Sequence, residues 1–325
     1  MRGGGEPGPH PHGPGAGRRR RAQGPRRHPR AGRGTRPARR EAGRAAPRRT
    51  AAPRIAPLDG STVGVGQPLA LVFPGQKVDA SLRAGIEGAL AVTASTPLTG
   101  AWHWTESKGD TLVHFRPEHY WPARTRVTLD ARLSHVKLAD GTAVDRYRRL
   151  SFTTGDSMIS KVDLAAHTMT VVRDGRTLRT IPVSGGEKRF KTREGIKTIL
   201  SKDGRVLMDS RTIGVPRDSP DGYYAPYDWS MRETVSGEYL HAAPDHAESF
   251  GKENVSHGCI GMSEADAKWL YGLSRVGDVI EATGTTGKPM DHFGNGYGFG
   301  NGYGDWNLSW SDWPAGSALG ERPAV

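Results

Sequence analysis

Two neighbouring stretches decide how this sequence is interpreted: Glu238-Tyr239-Leu240-His241-Ala242-Ala243-Pro244 and Val255-Ser256-His257-Gly258-Cys259-Ile260. Cys259 is the one cysteine among 325 residues, so it cannot form an intramolecular disulfide. It is therefore either an inert core residue or a reactive thiol. A thiol becomes a nucleophile when a nearby base favours the thiolate, and His241 and His257 both lie close in sequence. These neighbours favour a reactive thiol.

Gly258 leaves its backbone N–H open to a substrate carbonyl, which suits an oxyanion donor. Zinc binding is an alternative use of the same region, because His241, His246, His257 and Cys259 supply nitrogen and sulfur ligands. Their spacings match no common zinc pattern. We therefore expect neither a metal nor another cofactor.

The motif lies in a segment, residues 156–284, that we predict to be mostly β with one main helix. Asp174-Gly175 is a two-residue hairpin signal between strands predicted at Thr168–Arg173 and Arg176–Ile181. The helix is predicted to begin after Ser263, which can cap it, and to have an apolar face. Further strands are predicted at Ile196–Leu200, Glu238–His241 and Val279–Ala282.

Residues 55–155 show the period-2 alternation of a β-sandwich of immunoglobulin-like type. Apolar residues alternate at Leu69, Leu71 and Phe73, and again from Val127 to Leu133. The core is expected to contain Trp102, Trp104 and Trp121. No catalytic constellation is evident here, so we expect this module to act as a spacer.

Basic charge is concentrated at the start of the chain. Residues 1–54 contain 16 arginines and two acids, a net charge of +14, which leaves −2 of the total +12 for the remainder. Such a segment is expected to be a disordered leader. This is favoured over an RNA or membrane-surface role, and no nucleic-acid partner is expected. No signal peptide is recognisable.

The C-terminal segment, residues 285–325, alternates glycine with aromatic residues from Gly294 to Gly304 and then carries Trp306, Trp310 and Trp313. A chain end rarely contains three tryptophans unless they pack on something. We expect this segment to fold back on the catalytic domain.

Ser256-His257-Gly258-Cys259 followed by an apolar residue, with His241 ending an upstream strand, resembles the signature of the L,D-transpeptidase catalytic domain, also called the YkuD domain. Residues 55–313 are similar to the actinobacterial members, which combine an immunoglobulin-like module, the catalytic domain and a tryptophan-bearing end.

The resemblance implies a role for each matching residue. Cys259 is the nucleophile, His241 is the general base, and the Ala242 carbonyl orients the His241 ring. The N–H groups of Gly258 and Cys259 face the oxyanion. The substrate site is lined by Ser256, His257, the lid residue Tyr223, Met208 and Gly261.

Two positions depart from the family pattern. Ile213 stands in the lid where relatives can carry tyrosine, which removes one aromatic contact to substrate. Gly261 replaces the usual asparagine or arginine, which removes a polar group near the nucleophile.

By resemblance, the enzyme cleaves the terminal D-alanine from a tetrapeptide stem of peptidoglycan and forms 3→3 cross-links through a cysteine thioester. The acceptor is the amine of a second stem, carbapenem-type β-lactams acylate Cys259, and the location is the cell envelope. The same site with water as acceptor gives an L,D-carboxypeptidase or endopeptidase. A non-catalytic wall-binding scaffold is the third hypothesis.

Overall fold

The computed structural model of the protein describes residues 50–134, 136–138, 141–144, 147–285, 287, 289–290 and 304–324. Residues 1–49 of the expected leader, and the glycine–aromatic run as far as residue 303, lie outside these ranges. Strands β1 (Thr50–Ala51) and β2 (Arg54–Ala56) reach into the expected leader. Regular structure therefore begins before residue 55, because pairing with later strands, and not composition, sets its start.

The N-terminal part is a sandwich of two sheets with strand orders β3-β10-β8-β5 and β2-β4-β7-β6-β20, beside a short β1-β9 pair. Its further strands are β3 (Thr62–Val63), β4 (Leu69–Phe73), β5 (Leu90–Ala94), β6 (Leu98–Ser107), β7 (Asp110–Pro117), β8 (Arg126–Arg132), β9 (Ala143–Val144), β10 (Tyr147–Thr154) and β20 (Glu321–Ala324). The expectation of an immunoglobulin-like sandwich is confirmed.

The sandwich core is aromatic, as predicted. Trp102 and Trp121 are both 1% exposed. Their rings meet those of Phe115 and Phe152 edge-on, with centroids 5.2 and 5.8 Å apart. Edge-to-face contacts of this kind add to the free energy gained from burial.

The sandwich also contains a helix that the alternation pattern did not predict, α1 (Ala80–Gly88). The Asp79 carboxylate accepts a hydrogen bond from the Ser81 N–H at 2.8 Å and caps the helix. Near its end, the buried Glu87 accepts a hydrogen bond from the Trp104 indole N–H at 2.6 Å. The signal in the sequence that indicates this helix is Asp79, because aspartate is a favoured N-cap residue.

The part of the chain that follows the sandwich, in which the sequence predicts the catalytic domain, is built on two further sheets, β13-β12-β11-β19-β14 and β15-β16-β17-β18. The strands are β11 (Met158–Asp163), β12 (Thr168–Arg173), β13 (Arg176–Pro182), β14 (Gly195–Thr198), β15 (Ser201–Asp209), β16 (Tyr224–Arg232), β17 (Tyr239–Ala242), β18 (Ile260–Met262) and β19 (Val279–Thr283). Asp174 and Gly175 have φ values of 49° and 78°, which matches the predicted two-residue hairpin turn.

The predicted helix is α2 (Glu264–Leu273). Ser263 caps it reciprocally: its hydroxyl accepts from the Asp266 N–H at 3.1 Å and donates to the Asp266 carboxylate at 2.6 Å. Short 3₁₀ segments lie at Ser210–Ile213, Pro244–Ser249, Gly304–Asn307 and Trp313–Gly316, the second of them kinked at His246. Within the described parts of the chain, neither α-helix is long and apolar enough to cross a membrane.

The C-terminal segment packs differently from the expectation. The rings of Trp306, Trp310 and Trp313 surround the Arg116 guanidinium, with centroids 4.9, 5.4 and 4.5 Å away. Arg116 belongs to the sandwich, where its buried cation gains from aromatic faces. On the catalytic side, Asn307 hydrogen-bonds the backbone of Ile196 at 2.7 and 2.8 Å. The tryptophans therefore lie on the sandwich, and not on the catalytic domain as expected.

Candidate active site

The pairing of β17 with β18 brings the two halves of the motif together. The strands run parallel, with His241 opposite Gly261, and Cys259 directly precedes β18. The intervening 3₁₀ segment and loop form the crossover. His241 and Cys259 thus line one cavity, of about 200 Å³, although they are 18 residues apart in sequence.

The His241 ring is fixed by the backbone of its own strand. Nδ1 lies 2.8 Å from the Ala242 carbonyl oxygen, which assigns the proton to Nδ1 and leaves Nε2 as the basic atom. Burial lowers the pKa of His241 to about 4, partly opposed by that hydrogen bond. The imidazole is therefore neutral at physiological pH and able to accept a proton. The Tyr227 ring packs on it, with centroids 4.6 Å apart.

Cys259 is 9% exposed, and its sulfur lies against the strand that carries His241. Its S–H donates to the Gly237 carbonyl at 3.7 Å. Burial raises the pKa of the thiol to about 12, while the Tyr239 backbone N–H favours the thiolate. The resting nucleophile is a thiol, so attack requires a base.

The Gly258 N–H donates to the Ser256 hydroxyl at 3.1 Å, and that hydroxyl donates to the Cys259 carbonyl at 2.6 Å. The prediction that this N–H points at the oxyanion is therefore wrong for this geometry, because Ser256 already binds it. Ser256 lines the smaller cavity, but its hydroxyl braces the motif's backbone. Gly258 has a φ of +121°, a conformation that side chains rarely adopt.

The rings of His257 and Tyr223 pack against each other at a tilt of 57°, and both residues line a cavity with Cys259. The His257 ring lies between Phe190 and Tyr223, at centroid distances of 4.4 and 4.9 Å. Burial, followed by the charges of Cys259 and Asp209, raises the pKa of Tyr223 to about 12. Its hydroxyl therefore remains a hydrogen-bond donor at physiological pH. The catalytic and binding roles of both residues stay predictions.

Met208 is 8% exposed and packs with Tyr239 and Cys259, shortly before residues 213–223, which the resemblance predicts to be the lid. A set of ion pairs that sequence reasoning missed joins Asp209 to the start of this segment. The Asp209 carboxylate accepts hydrogen bonds from Arg211 and Arg217, each at 2.8 Å, and both partners hold its pKa well below the usual range.

Gly261 is enclosed by its neighbours. A Cβ atom at this position would lie 2.9 Å from the Ala243 Cβ, closer than real contacts allow. The departure from the family's larger residue therefore has a packing reason. Gly261 still lines the smaller cavity, whose other walls include Met208, His246 and Phe250.

A second, larger cavity, of about 1010 Å³, also opens at Cys259 and shares Tyr223 and His257 with the first. Its lining contains five basic residues, Lys108, Lys188, Arg189, Lys191 and Arg193. Lys108 comes from the β6–β7 turn of the sandwich. The nucleophile therefore lies where two differently lined spaces meet.

Comparison with known protein families identifies the class of each domain. A family described as the L,D-transpeptidase catalytic domain matches residues 157–281, and one described as a bacterial Ig domain matches residues 32–137. The chain thus joins an acyltransferase-type catalytic domain to an immunoglobulin-like module.

The chain belongs to the L,D-transpeptidase family. It is 37% identical over 230 residues to L,D-transpeptidase 1 of Mycobacterium tuberculosis. The aligned region covers 71% of this chain and 84% of that protein. It is 34% identical over 266 residues to L,D-transpeptidase 2 of the same species, covering 82% of this chain but only 62% of that relative's length. The solved structure of LD transpeptidase LdtMt1 in complex with imipenem matches with a TM-score of 0.61 and 35% identity, over 72% of this chain and 99% of that one.

Proposed function

We propose that this enzyme forms 3→3 cross-links in peptidoglycan through a thioester on Cys259. The observation that carries the proposal is the position of a buried thiol and a neutral imidazole in one cavity, with a second cavity reaching the same sulfur. An acyl-transfer enzyme with two peptide substrates needs one nucleophile that both of them can reach.

In the first half-reaction, His241 Nε2 takes the thiol proton and the sulfur attacks the carbonyl of the third stem residue. The developing oxyanion receives hydrogen bonds from the Cys259 backbone N–H and the Tyr223 hydroxyl. The tetrahedral species collapses to the thioester. D-Alanine leaves as the amine, carrying the proton that His241 returns.

In the second half-reaction, the side-chain amine of another stem attacks the thioester. His241 removes the proton from the attacking nitrogen and restores it to the departing thiolate, so the cycle closes without net proton change. Met208, Ser256 and Gly261 line the space on the His241 side, and His257 lies at the junction of the two cavities. The pathway uses side chains and backbone groups of this chain.

Peptidoglycan is cross-linked outside the cytoplasmic membrane, so we place the action of this chain in the cell envelope. Carbapenem-type β-lactams are the expected covalent inhibitors, since their strained carbonyl is open to the same thiolate. The imipenem complex of the similar LdtMt1 structure supports this assignment.

The test is to incubate the full chain with meropenem, and separately with a disaccharide-tetrapeptide, and to identify adducts and products by mass spectrometry. Cys259→Ala and His241→Gln should lose both reactions, while His246→Gln, at another histidine of the same cavity, serves as the matched control. A dimer lacking one D-alanine supports transpeptidation. Tripeptide alone would instead identify a carboxypeptidase, and an unmodified wild type would refute the catalytic proposal.

A further inference from the structure

Four charged side chains, three of them buried, form a chain of ion pairs beside the backbone that contacts Cys259. Lys197 Nζ lies 2.8 Å from both Glu233 Oε2 and Glu238 Oε2. Arg193 Nη1 lies 2.8 Å from Glu238 Oε1. We call Arg193, Lys197, Glu233 and Glu238 the ion cluster; the side chains of Lys197 and Glu233 are 0% exposed.

The ion cluster is attached to the backbone that holds the sulfur. Glu238 lies between Gly237, whose carbonyl accepts the Cys259 S–H, and Tyr239, whose N–H faces the sulfur. On its other side, the Glu238 side chain packs on the motif: a Cβ atom at Gly258 would lie 3.4 Å from its Cγ. Glu238 also lines the larger cavity with Cys259.

Buried ion pairs are a weak source of net stability, because desolvation opposes the Coulombic attraction. Apolar side chains of similar volume often stabilise a fold at least as well. What apolar side chains could not supply is a defined charge beside the thiol together with hydrogen bonds that fix the loop 233–238. The loop positions the backbone groups that contact the Cys259 sulfur, and the charge affects the stability of its thiolate.

We propose that Glu238 is a positioning residue for Cys259. Its bonds to Lys197 and Arg193 hold the Gly237 carbonyl and the Tyr239 N–H against the sulfur, and the charges of the ion cluster set how readily the thiolate forms. The inference rests on Cys259 being the nucleophile of the proposed function.

The sign of each contribution is defined by the geometry. The carboxylates of Glu233 and Glu238 disfavour the thiolate and raise the thiol pKa, whereas Lys197 lowers it. Outside the ion cluster, the titratable or charged groups that face the sulfur or line its cavities come from several elements: His241, His246, His257, Tyr223, Tyr227, Tyr239, Lys108, Lys188, Arg189 and Lys191. Variants within the ion cluster leave all of these side chains unchanged.

The experiment measures the rate of Cys259 alkylation by iodoacetamide in the full chain between about pH 7 and 9, well below the thiol pKa of about 12. In this range the logarithm of the rate rises linearly with pH, and a change in the thiol pKa displaces the line along the pH axis. Glu238→Gln keeps the side-chain shape and removes a negative charge, so its line should shift to lower pH by about one unit, which is about a tenfold faster rate at a given pH. Arg193→Gln removes the cation that neutralises Glu238, so its line should shift to higher pH. Asp228→Asn, which removes an exposed carboxylate paired with Arg205 on the same sheet, is the matched control and should follow the wild type.

Opposite shifts of the two lines support the proposal, because a merely structural loss would not move them apart. Shifts in the same direction, or a Glu238→Gln profile that overlays the wild type, would overturn it. Should Glu238→Gln fail to fold, Arg193→Gln decides alone, since its side chain is 29% exposed and the Lys197–Glu238 pair remains. An unshifted Arg193→Gln then rejects the proposal.

Meropenem acylation of the wild type, measured in parallel, distinguishes a failure of the proposed function from a failure of the positioning role of Glu238. A wild type that resists acylation defeats the proposed function itself. A wild type that is acylated, with variants that show no pH shift, removes only the role of the ion cluster.

Discussion

His241 Nδ1 donates to the carbonyl oxygen of the next residue, Ala242, at 2.8 Å. The base is therefore oriented by its own backbone, and no carboxylate is needed as the third member of the site. A carbonyl dipole stabilises an imidazolium less than a full negative charge does, which agrees with the lowered pKa of this histidine.

The first prediction concerns the pH dependence of stability. The pKa of His241 is about 4 in the folded chain and has its ordinary value near 6.5 when unfolded. The unfolded state therefore binds a proton first as the pH falls, and this contribution to stability is lost from about pH 6.5 downward. Between about pH 7.5 and 5, His241 should reduce the free energy of unfolding by about 2 kcal/mol. Urea unfolding of the wild type and His241→Gln measures the difference.

His246→Gln controls for the removal of a histidine from the same cavity, and it should retain the wild-type slope. Parallel curves for the wild type and His241→Gln would contradict the assignment of a buried, neutral imidazole.

The second prediction isolates the Tyr223 hydroxyl. Tyr223→Phe keeps the ring on His257 but removes the proposed oxyanion donor, so the rate of meropenem acylation should fall by about 100-fold. Binding before acylation should change little, and stopped-flow fluorescence separates the two. The Tyr227 hydroxyl donates to Asp245 at 3.2 Å, so Tyr227→Phe should reduce the acylation rate much less. Equal losses in both variants would argue against a special role for Tyr223.

The third prediction tests the packing around Gly261. Gly261→Asn restores the residue type common in the family, but its Cβ would lie 2.9 Å from the Ala243 Cβ. Overpacking of this kind should cost about 1–3 kcal/mol in the free energy of unfolding. Adding Ala243→Gly should recover most of that loss, as measured by chemical denaturation. A fully stable single variant would show that this part of the site repacks freely.

The fourth prediction addresses the C-terminal tryptophans on Arg116. Trp313 is 0% exposed, and its indole N–H donates to the Ala101 carbonyl at 2.9 Å. Trp313→Ala should destabilise the chain by about 3–5 kcal/mol and speed proteolysis within residues 304–324. Trp310→Ala, at a partly exposed ring, should do so less. Equal protection from protease in both variants would rule out this anchoring.

Local patterns in the sequence predicted much of the fold. The hairpin at Asp174-Gly175, the helix capped by Ser263 and the sandwich alternation each depend on neighbours a few residues away, and each was recognisable. The long strands β15 and β16 were not predicted, because Ser201–Asp209 is polar and glycine-containing, and only pairing with Tyr224–Arg232 makes it a strand.

The site likewise contains features that a local sequence pattern predicts and features that depend on residues far apart in the chain. The nucleophile motif is contiguous, and its resemblance to a family supplied His241 from upstream. The ion cluster joins β14 to the loop 233–238, with partners about forty residues apart, so no local pattern marks it. The direction of the Gly258 N–H was likewise set by a hydroxyl at Ser256, which composition cannot reveal.

Lys108 is part of the sandwich, yet it forms part of the wall of the space that opens at Cys259. The boundary between the sandwich and the catalytic domain therefore does not coincide with the boundary of this cavity. In a lineage that exchanged its N-terminal module for another, the cavity would acquire a new wall at the same time. Substrate preference could then diverge among descendants while the stretch from Ser256 to Cys259 stayed unaltered.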